Sequence, residues 1–482
     1  MNTTIHWFRN DLRLADNPAL CAAVQRGAVV PVYIWSPADH GDWAPGGAKK
    51  WWLHQSLTSL AESLNKLGSR LILRTGDALD HLRDIAETAT ADAVYWNRRY
   101  EPDLIDADKR VKRGLADADL DAHSFNGALL YEPWEVQTKQ GKPYQVFSPF
   151  HRTVQQMPEP DAPLAAPASL RSPAKWPASD KLDDLGLMPT IPWYDGLADA
   201  WDPSEAGAHA NLDAFVDDPI ADYKKARDLP AVPGTSRLSP YLHNGELSPR
   251  QAYHAAAKRT RGNAGDKLKK NAYDYIRELV WREFGYHVLY HFPHTPGKPL
   301  REKYEAFPWV DMRKGRHTLE AWQKGQTGYP IVDAGMRQLY ATGWMHNRVR
   351  MIVASFLTKH LLVSWEEGAK WFWDCLVDAD LASNTLGWQW AGGCGADAAP
   401  YFRIFNPMTQ GEKFDAAGDY VRHWCPELKD VPTKHIHQPW ECPPLELKQA
   451  GVTLGEDYPE PIVNHKQARE RALEALSEVT GG

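Results

Sequence analysis

The sequence predicts two domains of different class: an N-terminal α/β domain with a doubly wound parallel sheet, and a larger all-α C-terminal domain. Three features predict this division. Strand-like and helix-like segments alternate in residues 1–130, prolines crowd part of residues 131–205, and helical patterning runs through residues 206–482. We therefore expect residues 131–205 to form a long interdomain connector.

The N-terminal part alternates strands and helices. Segments rich in β-branched and aromatic residues predict strands at residues 3–8, 29–35, 70–74 and 93–96. Between them, apolar spacing predicts helices at residues 49–67 and 77–88, and Asn17 before Pro18 is typical of a capped helix start. This order predicts a parallel sheet with a ligand site at the carboxyl ends of its strands. Because no Gly-x-Gly-x-x-Gly motif is present, a standard dinucleotide site is not expected.

The connector and the C-terminal part differ in composition and in residue pattern. Eight prolines fall between Pro158 and Pro192, which is typical of a surface connector. Beyond it, apolar periodicity predicts helices at residues 248–260, 267–289, 318–324, 331–341, 347–360 and 365–376.

Composition limits the class of protein. The chain has 482 residues, of which 43% are hydrophobic and 24% charged, as in globular proteins. A net charge of −7 argues against indiscriminate nucleic-acid binding, although cations gathered on one face would still allow a DNA partner. With neither a leader pattern nor a long apolar stretch, we expect a cytoplasmic monomer with no membrane association.

Metal binding is not predicted. The five cysteines are scattered and form no Cys-x-x-Cys pair. His287, His291 and His294 have a metal-like spacing but no obvious fourth ligand, so packing or surface roles are the better interpretation.

The C-terminal part contains four segments that concentrate polar, basic and aromatic residues, which packing of a hydrophobic core alone does not require. In the first, Thr235, Ser236, Arg237 and Ser239 precede a helix and offer hydroxyls, a guanidinium and N–H groups that can hold a phosphate. A helix cap with an incidental arginine explains this segment equally well.

The second and third segments suggest a pocket for a base. Glu278 and Trp281 share one helix face, so an acid lies beside a flat aromatic surface, although a half-buried helix with an exposed acid explains them too. Asn347, Arg350 and Met351 are expected on one side of a helical turn, with Arg348 pointing elsewhere.

The fourth segment, residues 378–390, combines carboxylates, an amide and two tryptophans: Asp378, Asp380, Asn384, Trp388 and Trp390. The glycine-rich residues that follow are weak evidence for a phosphate site.

Together these segments resemble the photolyase/cryptochrome family over essentially the whole chain, with class I cyclobutane pyrimidine dimer photolyases of bacteria as the nearest subclass. The resemblance rests on seven motifs: residues 6–13 (His-Trp-Phe-Arg-Asn-Asp-Leu-Arg), 235–240 (Thr-Ser-Arg-Leu-Ser-Pro), 281–284 (Trp-Arg-Glu-Phe), 327–334 (Thr-Gly-Tyr-Pro-Ile-Val-Asp-Ala), 343–348 (Gly-Trp-Met-His-Asn-Arg), 388–390 (Trp-Gln-Trp) and 403–407 (Arg-Ile-Phe-Asn-Pro).

The resemblance implies a deoxyribodipyrimidine photo-lyase, which repairs cyclobutane pyrimidine dimers in single- or double-stranded UV-damaged DNA. Photoexcited reduced FAD donates an electron to a dimer flipped out of the DNA. A cryptochrome-like blue-light photoreceptor is the alternative. Asn384 and the absence of an extended tail favour repair, and Asn347 with Met351 does not supply the histidine pair of (6-4) photolyases.

The resemblance also assigns roles to residues. The catalytic pocket would comprise Glu278, Trp281, Asn347, Met351 and Trp390. FAD would bind to Tyr223, Thr235, Ser236, Arg237, Leu238, Ser239, Tyr275, Asn347, Arg350, Asp378, Asp380 and Asn384. DNA would contact Trp281, Arg348, Trp390, Arg403 and Lys413.

The resemblance also implies an electron-transfer path and a binding site for an antenna chromophore. Electrons would pass along Trp388, Trp365 and Trp309, with another aromatic residue as the alternative to Trp309. Asn97 and Glu101 would bind an antenna chromophore in the N-terminal domain. The expected chromophore is 5,10-methenyltetrahydrofolate; a deazaflavin and a site without any chromophore are the alternatives.

Overall fold

The computed structural model of the protein describes residues 2–262, 264–398 and 402–480. Its N-terminal part is built on five parallel strands in the order β3-β2-β1-β4-β5. The strands are β1 (Thr3–Phe8), β2 (Ala28–Trp35), β3 (Ile72–Thr75), β4 (Ala93–Asn97) and β5 (Asp121–Phe125). Four of them lie where the sequence predicts strands, and β5 is an addition.

Four helices flank this sheet: α1 (Pro18–Arg26), α2 (Gly47–Lys66), α3 (Ala78–Ala89) and α4 (Pro102–Ala116). The predicted cap of α1 is confirmed, because the Asn17 side chain accepts a hydrogen bond from the Leu20 N–H. Helix α4 was not predicted from the sequence. Its opposite faces, one buried and one charged, are those of an ordinary amphipathic helix.

The connector packs against the sheet domain rather than standing clear of it. It contains α5 (Phe147–Val154), a 3₁₀ turn (Leu182–Leu185) and α6 (Asp195–Ala200). Leu170, Leu185 and Leu187 are buried in the core beside the sheet. Strand β3 is hydrogen-bonded to the connector, since the Asp180 N–H donates to the Leu73 carbonyl at 3.0 Å.

The C-terminal part is helical, as predicted. Its helices are α7 (Glu205–Asp217), α8 (Tyr223–Ala226), α9 (Ser239–Asn244), α10 (Pro249–Lys258), α11 (Asp266–His291), α12 (Met312–Gln323), α13 (Pro330–Thr342), α14 (Asn347–Ser355), α15 (Trp365–Cys375), α16 (Leu381–Gly392), α17 (Pro407–Phe414), α18 (Asp419–Trp424), α19 (Pro444–Gln449) and α20 (His465–Thr480). One π-helical turn (Phe356–His360) continues α14. Among the described residues, no helix combines the length and apolar character that a membrane crossing requires.

Buried polar contacts fasten the two parts together. Arg13, which follows β1, donates to the carbonyl oxygens of Gly127 and Gly245, and Asp16 forms an ion pair with Arg250 at 2.9 Å. Because these charged groups are buried and paired, sliding the domains apart would expose them or leave them unpaired. The boundaries at 130 and 205 stay a prediction.

Candidate active site

The segment before α9 places a strained arginine in a half-buried position. Arg237 has a backbone φ of 52°, in the left-handed region that few non-glycine residues adopt. Its guanidinium lies 4.3 Å from the centre of the Trp201 ring, and its buried Nε has no hydrogen-bond partner. Burial lowers the pKa of this guanidinium. A strained, partly unpaired cation is what an anionic ligand would use.

Other predicted members of this segment lie around Arg237. Tyr275 on α11 is buried next to Ser236, and burial raises the pKa of its hydroxyl to about 12. The Tyr223 and Tyr275 rings meet edge-on with centres 5.4 Å apart. Thr235 is half-buried and Leu238 is buried. The structure therefore brings these predicted residues together.

Trp344 joins this segment to the next group of predicted residues. Its Nε1–H donates to the Ser239 hydroxyl at 3.2 Å. The centre of its ring lies 5.5 Å from the Arg237 guanidinium and 6.0 Å from the Arg350 guanidinium. Sequence reasoning noted Trp344 within a motif but gave it no role.

Arg350, Asp378, Asp380 and Asn384 form what we call the site floor. The Nη2 of Arg350 donates to both Asp378 oxygens, at 3.1 and 2.8 Å, and its Nε donates to the Met345 carbonyl. The Asp378 side chain is only 3% exposed. The Arg350 side chain is 23% exposed, so the carboxylate is the buried member of this ion pair.

Asp380 and Asn384 organise the start of α16. Asp380 caps the helix through the Ser383 N–H at 2.7 Å and accepts hydrogen bonds from Tyr286 and His243. Burial opposes its ionisation, but the hydrogen bond with His243 and the charge of Arg282 hold the pKa of Asp380 well below its usual value. Asn384 donates to the Ala369 carbonyl at 3.0 Å, which fixes its amide.

Arg227, Asp228, Glu278 and Arg348 form what we call the site mouth. Glu278 makes an ion pair with Arg227, and the next residue, Asp228, binds Arg348 at 2.7 Å. The four side chains are between 20% and 37% exposed. Sequence reasoning missed Arg227 and Asp228, because no spacing motif connects the loop after α8 to α11 and α14.

The expected direction of Arg348 is wrong. Its Nη1 lies 3.8 Å from the Met351 sulfur, because residues three apart share a helix face. Arg350 instead turns inward to the site floor. Asn347 is exposed at the first position of α14, beside this mouth.

The two predicted pocket tryptophans have different surroundings. Trp281 stacks face to face on Phe147 from α5, with ring centres 3.5 Å apart, so the connector covers one face of the indole. Trp390 on α16 lines a small cavity together with Lys359, Arg403 and Phe405. Burial lowers the pKa of the Lys359 ammonium to about 7.

The predicted DNA-contacting cations gather in two places. Arg348 and Lys413 lie 4.3 and 5.0 Å from the centre of the Phe414 ring. Arg403 lies at the cavity beside Trp390. These cations concentrate positive charge locally on a chain with a net charge of −7.

The three tryptophans predicted for electron transfer differ in burial. Trp388 and Trp365 are each 2% exposed, and Trp309 is half-buried beside Phe307. Trp388 meets Phe372 and Trp322 edge-on, with ring centres 5.0 and 6.1 Å apart. Gly368 makes room for Trp388, since a Cβ there would lie 2.1 Å from its ring.

The N-terminal domain has a cleft at the carboxyl ends of its strands, shared with the helical part. Its lining includes Trp35, His40, Lys49, Arg99, Glu101 and His243. Burial alone would raise the pKa of Glu101, but the ion pair with Arg99 lowers it to about 2. Asn97 instead points into the protein and donates to Asp11 and Asn17. Only Glu101 of the two predicted antenna residues lines the cleft.

Two of the histidines with a metal-like spacing have structural partners. His287 and His291 both hydrogen-bond to the Pro133 carbonyl, at 3.2 and 3.1 Å. His287 also accepts the Tyr144 N–H. These bonds support the packing interpretation of both imidazoles.

Comparisons with known proteins match both parts of the chain. Residues 4–168 match the family described as DNA photolyase, and residues 275–478 match the FAD binding domain of DNA photolyase. Over 477 residues, 98% of each chain, the sequence is 52% identical to a deoxyribodipyrimidine photo-lyase of Agrobacterium fabrum. It is 40% identical to cryptochrome-2 of Arabidopsis thaliana, covering 98% of this chain and 78% of that protein.

Solved structures give the same picture. The crystal structure of a bacterial class III photolyase from Agrobacterium tumefaciens has a TM-score of 0.94 at 51% identity, covering all of this chain and 98% of the other. A Synechocystis cryptochrome has a TM-score of 0.89 at 33% identity, with 98% and 99% covered. The predicted two-part fold is confirmed.

Proposed function

Because the chain belongs to the photolyase/cryptochrome family, we propose that it is a light-driven DNA repair enzyme acting on cyclobutane pyrimidine dimers. The observation that carries the proposal is the set of contacts at the site mouth: Glu278 pairs with Arg227, the next residue Asp228 pairs with Arg348, and Arg348 lies beside Met351. Such a recess can receive a flipped-out pair of bases.

The chain belongs to a family with an FAD-binding domain, and its residues fit that cofactor. Arg237 supplies a buried Nε without a partner, and Ser236, Ser239 and Tyr275 supply hydroxyls around it, which suits a diphosphate. Arg350, Asp378, Asp380 and Asn384 would hold the ring and ribityl portions, and the remaining contacts are those implied by the resemblance. When bound, FAD supplies the light-absorbing electron donor.

The lesion would be held by the residues of the mouth and its two aromatic walls. Trp281 and Trp390 offer flat surfaces to the bases, and Met351 offers an apolar contact. Glu278 and Asn347 would hydrogen-bond the polar edges of the pyrimidines. Glu278 is paired with Arg227, so a bound pyrimidine would take the place of Arg227 as the partner of this carboxylate.

DNA phosphates would bind the cations around this recess. Arg348, Lys413 and Arg403 lie near Phe414 or Trp390, so a backbone bound by them passes over the mouth. Phosphate contacts give affinity without sequence preference. For Arg348, a phosphate oxygen would replace Asp228.

Electron supply and light collection complete the proposal. Trp388, Trp365 and Trp309 would carry an electron inward from the surface. The cleft lined by Glu101 combines aromatic and charged groups that suit a planar polar chromophore. We keep 5,10-methenyltetrahydrofolate as the proposed antenna and a deazaflavin as its alternative, with Glu101 rather than Asn97 in contact.

The subclass proposal changes in light of the relatives. Sequence motifs pointed to class I, whereas the Agrobacterium tumefaciens relative, at 51% identity, is a class III photolyase. That likeness favours class III for this chain.

A photoreceptor role is the second candidate. It is favoured by the 40% identity to Arabidopsis thaliana cryptochrome-2 over nearly the whole chain. In that case the same flavin site would serve signalling, and the mouth would not process DNA.

The deciding experiment is illumination of the purified protein with thymine-dimer DNA under reducing conditions, after its absorption spectrum is recorded. Flavin bands together with light-dependent loss of dimers are the expected result. Flavin bands without repair would favour the photoreceptor, and a protein that takes up no flavin would contradict the cofactor assignment. The spectrum also tests the antenna, since a folate adds a separate absorption band.

A further inference from the structure

Three side chains that commonly bind metals meet outside the site described above. His435, Cys442 and Glu446 each offer one donor atom, and the three donor atoms lie within 4.8 Å of one another. They belong to the segment between α18 and α20, far along the chain from the motifs of the floor and mouth. Imidazole, thiolate and carboxylate together are a donor set that suits a borderline divalent ion such as Zn²⁺.

Two of these donors are buried without a hydrogen bond. The Nε2 of His435 is buried and has no partner. Cys442 is 6% exposed; its backbone N–H donates to the Pro439 carbonyl, but within the described residues its sulfur takes part in no hydrogen bond given by the structure. A buried imidazole nitrogen without a partner destabilises a fold unless something else binds it. A metal ion would satisfy the nitrogen and the sulfur at once.

The backbone holds the three residues in place through short, proline-rich elements. His435 closes a 3₁₀ turn (Thr433–His435), and Cys442 follows another (Pro439–Glu441). Two prolines, Pro443 and Pro444, then lead into α19, which carries Glu446. Proline restricts φ, so less conformational freedom remains to be lost when a ligand binds.

Lys434 already pairs with Glu446, one of the three proposed ligands. Its Nζ lies 3.2 Å from a Glu446 oxygen, and both groups are partly exposed. An ammonium and a metal ion both neutralise this carboxylate, so they compete for it. Removing the ammonium should therefore strengthen metal binding.

We propose that His435, Cys442 and Glu446 form a binding site for a zinc-like divalent cation, with water completing a tetrahedral set. The thiol loses its proton to solvent when its sulfur binds the metal, and no oxidation or reduction takes place.

The site would stiffen the support of a predicted DNA-contacting helix. His437, two residues after His435, hydrogen-bonds to the Asp415 carbonyl at 2.7 Å just beyond α17. Gln438 donates to Glu412 on α17 at 3.0 Å, beside Lys413. Because the segment consists of short turns, a metal ion would restrict its opening more than its own few hydrogen bonds do.

The test is titration of the full-length oxidised flavoprotein with Co²⁺, read from the ligand-field bands at wavelengths longer than flavin absorption. We expect intense tetrahedral bands, their loss on adding Zn²⁺, and an increase in melting temperature with either ion. Cys442→Ser should abolish the thiolate contribution to the spectrum. Glu446→Gln, at a partly exposed position, should weaken affinity by more than about tenfold, the smallest loss expected from outer partners of metal ligands.

Two further variants separate this site from general metal uptake. Lys434→Gln should tighten Co²⁺ binding, because the competing ammonium is removed. Cys21→Ser, in the N-terminal domain, should leave the spectrum unchanged. A folded wild-type protein without tetrahedral bands, or bands that persist in both Cys442→Ser and Glu446→Gln, would overturn the proposal.

Discussion

The floor and the mouth of the site use the same kinds of ion pair in different surroundings. In the floor, Asp378 is 3% exposed and receives both Arg350 contacts. In the mouth, Arg227, Asp228, Glu278 and Arg348 all keep a fifth or more of their surface in water. The arginines are similarly exposed in both places, at 20–23%, so the difference lies in the carboxylates. A buried carboxylate cannot lose its counterion cheaply, whereas a partly exposed one can exchange it.

The floor contacts therefore fix the site, whereas the mouth contacts can give way to a substrate. The floor pair positions groups before any ligand arrives. The mouth pairs hold Glu278 and Arg348 in place until other partners replace Arg227 and Asp228. Each of the following predictions tests one side of this contrast.

The largest expected effect is on the floor. Asp378→Asn should lower the free energy of unfolding by about 3 kcal/mol, because Arg350 keeps its charge but loses its buried counterion. Denaturant unfolding and the flavin content of the purified protein measure this. The matched mouth variant Asp228→Asn should cost under about 1 kcal/mol. Equal losses in both variants would remove the contrast.

An intermediate effect is expected at Glu278. Glu278→Gln keeps the size of the side chain but removes its charge, so dimer repair should fall roughly tenfold or more, as expected when a hydrogen bond to a charged group is lost. Flavin content should be unchanged, because Glu278 lies in the mouth. Glu302→Gln, on an exposed 3₁₀ turn, is the control for a lost surface acid. Loss of flavin together with repair would show that Glu278 belongs to the scaffold.

The smallest effect is expected for single phosphate contacts. Arg348→Gln and Lys413→Gln should each weaken binding of damaged and undamaged DNA, with the salt dependence of log K lowered by about 1. Fluorescence anisotropy at several salt concentrations measures both. Lys175→Gln, on the exposed connector, should leave the salt dependence unchanged. An unaltered slope in Arg348→Gln would mean that Asp228 keeps this arginine in the complex.

Sequence patterns predicted most of the fold because its elements have strong local signals. Strand β1 and the cap at Asn17 were predicted at the correct residues. Strand β5 was missed because its side chains are mostly exposed or half-buried, so it lacks the apolar character of the other strands. Helix α12 begins earlier than predicted, at Met312, where the residues are charged rather than periodic in apolar character.

From the sequence, only those site residues could be predicted that belong to a recognisable motif. Asp378 and Arg350 were named from their motifs, and the structure brings them together. Contacts between distant segments, such as Arg227 with Glu278, depend on how the loop after α8 packs, which no local pattern records. The direction of Arg348 was wrong because residues 348 and 351 are three apart and so share a helix face.

The stacking of Phe147 on Trp281 gives the connector a part in substrate access. With one face of the indole covered by the chain's own ring, a base has a single side from which to approach. A change in connector length near α5 would shift this wall, so this stretch is constrained by geometry even though much of its surface faces water.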